Sequence, residues 1–243
     1  MSLEQALEGK YSFFSDPKAA LANYHEYGFH VEKDLLDPAY CDLLIAKSYD
    51  LPGAKVKDFK PFMMPHREDD VYLAALKETR TVAVINQLVE GEAAGLQSQF
   101  FYCRGGTRGF SLHQDNFFVQ AKEGVFASAW IALVDTTPTN GGLIVYPGSH
   151  KQGLYPVSKL ALGVDPNQDP NANNEESQVP KEYPRCDITL PKGGVVFIHG
   201  HIVHGSNSNQ SDQNRYVLLN TYIRTGETFR SGNYAQREQT VLA

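Results

Sequence analysis

Apolar positions recur at helical spacing in the first third of the chain and at strand spacing after it. Ala20, Leu21 and Tyr24 fall on one helical face. Asp16 stands where an N-cap belongs and Pro17 at the first helical position, so residues 16–27 are predicted helical. Tyr27-Gly-Phe-His-Val-Glu then reads as a turn into a short strand. Asp37-Pro38 opens a second helix with Tyr40, Leu43, Leu44 and Tyr49 as its apolar stripe, and a third is expected over residues 71–88. Between them, residues 51–70 mix prolines, lysines and an exposed-looking Phe62-Met63-Met64 run. A stretch of this length serves as a lid or binding loop, or as an irregular connector with a few buried aromatics.

From Leu96 the period shortens to that of strands. Gln97-Ser-Gln-Phe-Phe-Tyr-Cys103 leads through the glycine-rich turn Arg104-Gly-Gly-Thr-Arg-Gly109 to Phe110-Ser-Leu-His113-Gln-Asp115-Asn116, also expected as a strand. Residues 125–134, carrying Trp130, form the next. Asn140-Gly141-Gly142 is a reverse-turn signal ahead of Leu143-Ile-Val-Tyr146, which Pro147-Gly-Ser-His150 ends. Residues 163–184, rich in Asp, Asn, Gln and Pro, are expected as a mobile loop. Strand patterns resume at residues 187–190, at Val195-Val-Phe-Ile-His199 and over 215–224. Helices followed by many short strands predict an α+β chain, mainly β. Its later part closes as a jelly roll, the cupin-like double-stranded β-helix, with the N-terminal helices packed on it. The expected organisation is one domain over 1–243, helical over about 1–95 and jelly roll over about 96–230.

Composition narrows the function classes. With 243 residues the chain can bury a sizeable core, and a 42% hydrophobic content fits a soluble globular protein. No apolar run approaches a membrane span. A formal charge of −6 argues against nucleic-acid binding, which needs a basic footprint. Cys41, Cys103 and Cys186 are scattered without a Cys-x-x-Cys pair, which suits neither a disulfide scaffold nor a thiolate zinc site and fits a reducing cytoplasm.

The chemistry concentrates at two places. On an extended strand His113 and Asp115 point to the same face and can converge on one point. An imidazole and a carboxylate begin an open-sided ferrous site if a second histidine arrives from elsewhere. Gly200-His201-Ile-Val-His204-Gly205 offers two candidates. The flanking glycines disfavour a helical His-x-x-His pair, so only one of the two needs to be a ligand. Arg215 follows at the start of the last strand.

In combination these residues resemble the phytanoyl-CoA dioxygenase family of Fe(II)/2-oxoglutarate oxygenases. The resemblance covers roughly residues 97–230. It rests on His113-Gln-Asp115, on Asn140-Gly-Gly-Leu-Ile-Val-Tyr-Pro-Gly-Ser-His150, on Gly193-Gly-Val-Val-Phe-Ile-His199, and on His204-Gly-Ser206 followed by Asn209, Ser211 and Arg215. It implies that His113, Asp115 and His204 are the iron ligands and that Arg215 holds the distal carboxylate of 2-oxoglutarate, the task a guanidinium does best. Ser206 is expected to add a hydroxyl to that carboxylate and Gln99 a polar contact to the cosubstrate, with Gln97 on the same face as its competitor. His150 is expected to hydrogen-bond structurally, and His199 and His201 to stand behind the ligands or at the surface. Arg104, Arg108 and Arg230 are solvated charges or contacts to an anionic substrate.

The implied activity is an Fe(II)/2-oxoglutarate-dependent dioxygenase. It consumes O2, hydroxylates a small-molecule metabolite and releases succinate and CO2. The presence of Asp115 argues against a halogenase, which needs that position free for a halide. The rivals are a non-redox metal-dependent jelly-roll isomerase and a catalytically inactive ligand-binding relative.

Overall fold

The computed structural model describes residues 2–55, 61–159 and 175–243. The chain opens with α1 (Leu3–Leu7), α2 (Pro17–Tyr27), β1 (Phe29–Glu32) and α3 (Pro38–Ser48). The aspartate–proline pairs start the two longer helices as expected: Asp16 Oδ1 accepts from the Ala19 amide at 3.1 Å, and Asp37 Oδ1 accepts from that of Ala39 at 2.7 Å. Then come β2 (Phe62–Met63), α4 (Asp70–Leu76), α5 (Thr79–Leu88), β3 (Ala93–Cys103), α6 (Asp115–Val119), β4 (Phe126–Ala132) and β5 (Leu143–Val145). The remainder is β6 (Val157–Lys159), β7 (Glu175–Ser177), β8 (Cys186–Asp187), β9 (Val195–His199), β10 (His204–Ser206) and β11 (Arg215–Arg224).

A six-stranded sheet runs β1-β9-β4-β11-β3-β2, and a three-stranded sheet, β10-β5-β8, faces it. All pairings are antiparallel. The period of two along each long strand sorts its side chains between two cores. Phe100, Tyr102, Ala129, Ile131, Phe197 and Leu218 pack with Tyr24, Leu44, Tyr72 and Ile85 of the helical layer. Their neighbours Phe101, Cys103, Trp130, Ala132, Val196, Val217 and Leu219 pack with Leu143, Val145 and Ile188 of the smaller sheet. Covered on both faces, β4 is buried along its whole length, which is why its sequence is almost continuously apolar. This is the expected jelly-roll core under a helical layer.

Several expectations change in detail. The helix over 71–88 is two helices, because Glu78 breaks it. Its carboxylate accepts from the amides of Arg80 at 3.0 Å and Thr81 at 2.7 Å, and from the Thr81 hydroxyl at 2.7 Å, restarting the helix as an N-cap. The strand expected for His113-Gln-Asp115 is instead a strand-to-helix corner. His113 makes an isolated bridge to His204, and Asp115 begins α6. The turn is fixed by the Asn116 amide, which donates to Gly200 O at 2.9 Å. Met64, expected exposed, is buried, with Phe62 and Met63 half-buried because they pair with β3. Of the two expected loops, residues 56–60 and 160–174 lie outside the described residues. Residues 175–177 form a strand against β6 rather than loop.

Candidate active site

The site lies between the two sheets, and a backbone bridge assembles it. The His113 amide donates to His204 O at 2.8 Å, and the His204 amide donates to His113 O at 3.0 Å, so the two imidazoles emerge side by side with ring centroids 4.3 Å apart. Asp115 projects between them. Its Oδ1 is 3.6 Å from His113 Nε2 and 3.6 Å from His204 Nε2. Among the described residues these three are the only His/Cys/Asp/Glu group whose ligand atoms cluster closely enough to share an ion.

Each imidazole is held in one tautomer. His113 Nδ1 lies 2.7 Å from Ser111 O and His204 Nδ1 lies 3.1 Å from Ile202 O. A carbonyl only accepts, so both Nδ1 atoms carry a proton and both Nε2 atoms are turned toward Asp115. Burial, and after it the neighbouring His113, lowers the His204 pKa to about 4, so this ring is neutral near pH 7. Burial by itself would raise the Asp115 carboxyl. His204, His113 and the Ser128 hydroxyl outweigh it and hold the group well below the usual carboxylate range. Ser128 Oγ donates to Asp115 Oδ2 at 2.7 Å, leaving Oδ1 for the histidine side. Two imidazole Nε2 atoms and an ionised carboxylate, oriented before any ion arrives, fit a divalent cation that takes nitrogen and oxygen donors.

The neighbours of Asp115 lock the corner. Gln114 is buried, its Nε2 donating to Gly153 O at 2.7 Å and to His201 O at 2.6 Å, while its Oε1 accepts from the Tyr155 amide at 2.8 Å. Asn116 Nδ2 donates to Ala121 O at 2.9 Å and lies 2.8 Å from His201 Nε2. His201 is thereby turned toward Asn116, and His204 joins the cluster. His150, as expected, hydrogen-bonds structurally, Nε2 to His25 O at 3.0 Å. His199 takes the His201 amide on Nδ1 at 3.1 Å.

A cavity of about 410 Å³ opens from the triad. Its walls are mostly apolar, Phe101, Phe110, Phe118, Phe126, Trp130 and Leu143 among them. Arg215 is 3% exposed, its carbon Cζ lies 5.6 Å from the centre of the Trp130 ring, and its Nε has no hydrogen-bond partner. Among the described residues its guanidinium makes no hydrogen bond or ion pair. An unpaired buried guanidinium is costly and fits a cavity that receives a carboxylate. Ser206 lines the same space, its Oγ accepting from the Phe110 amide at 2.9 Å and keeping its own proton to donate. Gln99 and Gln97, two apart on β3, both line the cavity. Gln99 Nε2 lies 2.7 Å from Met63 Sδ, and Gln97 Oε1 accepts from Arg237 Nε at 2.7 Å.

Two contributors were missed in the sequence. One is Ser128, a lone hydroxyl in the apolar run Phe126-Ala-Ser-Ala-Trp-Ile-Ala132; a polar residue on so buried a strand was the available signal. The other is the segment after β11. Tyr234 and Arg237 line the cavity beyond the point where the jelly-roll core was expected to end, beside Arg230, one of the three arginines considered for an anionic substrate. Of the other candidate arginines, Arg104 and Arg108 do not line it.

Comparison with known proteins agrees with this architecture. The family profile described as phytanoyl-CoA dioxygenase (PhyH) matches residues 24–217. A phytanoyl-CoA dioxygenase of Arabidopsis thaliana is 28% identical over 176 residues, 71% of this chain and 59% of that protein. The match thus spans about three fifths of that relative's length. Among solved structures, the epimerase SnoN in complex with Fe3+, alpha ketoglutarate and nogalamycin RO superposes with a TM-score of 0.71 at 19% identity, covering 88% of this chain and 85% of that one. EctD from S. alaskensis with 2-oxoglutarate and 5-hydroxyectoine does so with a TM-score of 0.67 at 19% identity, covering 94% and 83%. These structures share the fold. The profile match extends over most of the sequence, from α2 to β11, and the chain belongs to the phytanoyl-CoA dioxygenase family.

Proposed function

We propose that the protein is an Fe(II)/2-oxoglutarate-dependent dioxygenase that hydroxylates a small-molecule metabolite and releases succinate and CO2. The observation that carries this reading is the approach of His113 Nε2 and His204 Nε2 to Asp115 Oδ1, 3.6 Å each, in the same cavity as the unpaired Arg215. His113, Asp115 and His204 are the metal ligands, three donors on one side with the cavity on the other. Arg215 takes the distal carboxylate of 2-oxoglutarate in a charge-assisted pair, Ser206 donates its hydroxyl to it, and Gln99 contacts the cosubstrate body.

When bound, iron and 2-oxoglutarate supply the oxidation by O2, and no side chain has to act as a general base. The chain's share is to hold the donors, fix the carboxylate and exclude water with the aromatic wall. A cavity of about 410 Å³ suits a small substrate beside the cosubstrate. We place this activity in a single domain over residues 1–243 and in a reducing cytoplasm. No helix among the described residues is long and apolar enough to cross a membrane. A second outcome, epimerisation, has one observation in its favour: SnoN, which shares the fold, is an epimerase.

The test is an anaerobic titration of apoprotein with Fe(II) and 2-oxoglutarate, following the visible charge-transfer band of the chelate. A band in the wild type, lost in Asp115→Ala and weakened toward 2-oxoglutarate in Arg215→Ala, is expected. A folded, metal-loaded protein without the band would hand the site to a non-redox isomerase or a binding protein.

A further inference from the structure

The far side of the cavity carries positive charge that the cofactor reading leaves unused. Arg237 is pinned by four hydrogen-bond acceptors, one of them Phe118 O at 3.5 Å from its Nη1. Its Nε donates to Gln97 Oε1 at 2.7 Å, and its Nη1 to Arg230 O at 3.1 Å and Ser231 O at 3.4 Å. Its Nη2 has no hydrogen-bond partner, and it pairs with no carboxylate among the described residues. Gly232 makes room for it. That residue has φ +76°, and a Cβ there would stand 2.8 Å from Arg237 Nη1. Arg230, exposed at the mouth, adds a second guanidinium.

The segment carrying both is docked rather than loose. Gly95 and Thr240 exchange backbone hydrogen bonds of 2.9 and 2.8 Å, and Arg67 holds Gln236 O at 2.9 Å and Glu238 at 3.1 Å. Asp115 is the only carboxylate among the described residues lining the cavity. With a divalent ion on the triad, that ion and three arginines face one carboxylate, leaving four positive charges. The dicarboxylate cosubstrate removes two, and two remain, both on the C-terminal segment.

We propose that the substrate carries an oxyanion, carboxylate or phosphate, which Arg237 binds with Arg230 closing over it while the rest of the molecule lies along the aromatic wall toward the triad. The inference rests on the oxygenase reading of the same cavity. A guanidinium held in place with Nη2 open donates charge-assisted hydrogen bonds to either group, and a neutral substrate would leave Arg237 without a counter-charge.

The test uses Trp130, the chain's single tryptophan and part of the cavity wall, as a fluorescent reporter. Protein loaded with Zn(II) and saturating 2-oxoglutarate is titrated with phenylacetate, phenyl phosphate and neutral phenylacetamide. At least one anion is expected to bind tenfold or more tightly than the amide. Arg237→Gln should lose that preference, Arg237→Lys recover part of it, and Arg230→Gln weaken it while leaving the Arg237 contacts to Gln97 and Ser231 in place. The better of the two anions identifies the group. Equal binding of anion and amide, an unchanged preference in Arg237→Gln and Arg230→Gln, or no anion response at all would overturn the proposal. Failure of the wild type to respond to 2-oxoglutarate itself, tested first, would instead strike the oxygenase reading.

Discussion

The Ser128 hydroxyl donates to Oδ2 of Asp115 at 2.7 Å, so that Oδ1 alone is turned toward the two histidines. Ser128 sits on β4, inside the large sheet, and its hydroxyl hydrogen-bonds to no other member of the cluster. Removing such an orienting partner costs roughly 10–100-fold in metal affinity. Ser128→Ala is expected to weaken Fe(II) binding by about that factor while keeping the fold, as read by anaerobic metal titration beside a thermal melt. Unchanged affinity would mean that Asp115 is aimed by something else.

Arg215 offers a buried guanidinium with no hydrogen-bond or ion-pair partner among the described residues. Two charge-assisted hydrogen bonds to a carboxylate contribute about 3 kcal/mol or more, roughly 10²-fold in affinity. Arg215→Gln should lose at least that much 2-oxoglutarate affinity and leave Fe(II) binding alone. Arg215→Lys should fail to restore it, because an ammonium cannot present the planar pair. Full recovery in the lysine variant would refute the geometry proposed for the cosubstrate.

The glycine-rich turn before the triad acts at close range. A Cβ on Gly109 would collide with the backbone carbonyls of Ser206 and Asn207. Gly109→Ala therefore has to push β10, and with it His204, out of register. The expected result is a loss of about 1–3 kcal/mol in stability together with weakened metal binding, although residue 109 touches no ligand atom. Normal metal affinity in a destabilised variant would separate the two effects and reject the link.

Acid should loosen the fold through buried His66 and half-buried His199. Burial, then Arg67, lowers His66 from 6.5 to about 4. Burial, then the nearby His150, His201 and His25, lowers His199 from 6.5 to about 3. Both rings are neutral in the native state and take a proton near 6.5 when unfolded, so the unfolded chain binds more protons below that value. The stability these rings contribute is complete above 6.5 and drains away as pH falls toward 4 and 3. Between pH 7.5 and pH 5 the metal-free protein should lose about 2–4 kcal/mol, or roughly 5–10 °C in melting temperature. A melting temperature that stays flat over that interval would contradict it. His199→Asn and His66→Gln should each flatten the slope.

The helices starting at Pro17 and Pro38, the strand order of hydrophobic runs, and His113, Asp115, His204 and Arg215 as candidates were all readable from the chain. Caps, strand periods and ligand-type side chains leave local marks. The corner at Asp115 was not readable, because it is made by a carbonyl from the distant Gly200. Nor was the break at Glu78, since glutamate is a poor cap on average and acts here through three bonds at once. The role of the C-terminal segment was hidden for a different reason. It joins the fold through backbone hydrogen bonds at Thr240 and Arg230, a few polar contacts and the separate apolar residues Phe229, Ala235 and Leu242, so it has no apolar period to betray it, and its arginines look like any solvated charge. Gln97 and Gln99 share a face of β3, and sequence could not choose between them. Their partners separate them: Arg237 meets Gln97 and Met63 meets Gln99.

The reciprocal backbone bonds between His113 and His204 also bear on how the protein comes together. The two imidazoles are neighbours only after a strand from the late part of the chain has closed against the corner that leads into α6. An unfolded chain offers an ion scattered ligands and no chelate. A metal that seats itself there works as a clasp on the finished barrel, shifting the folding equilibrium by mass action in proportion to its free concentration. Iron supply would then govern how long the protein survives in the cell as well as how fast it turns over.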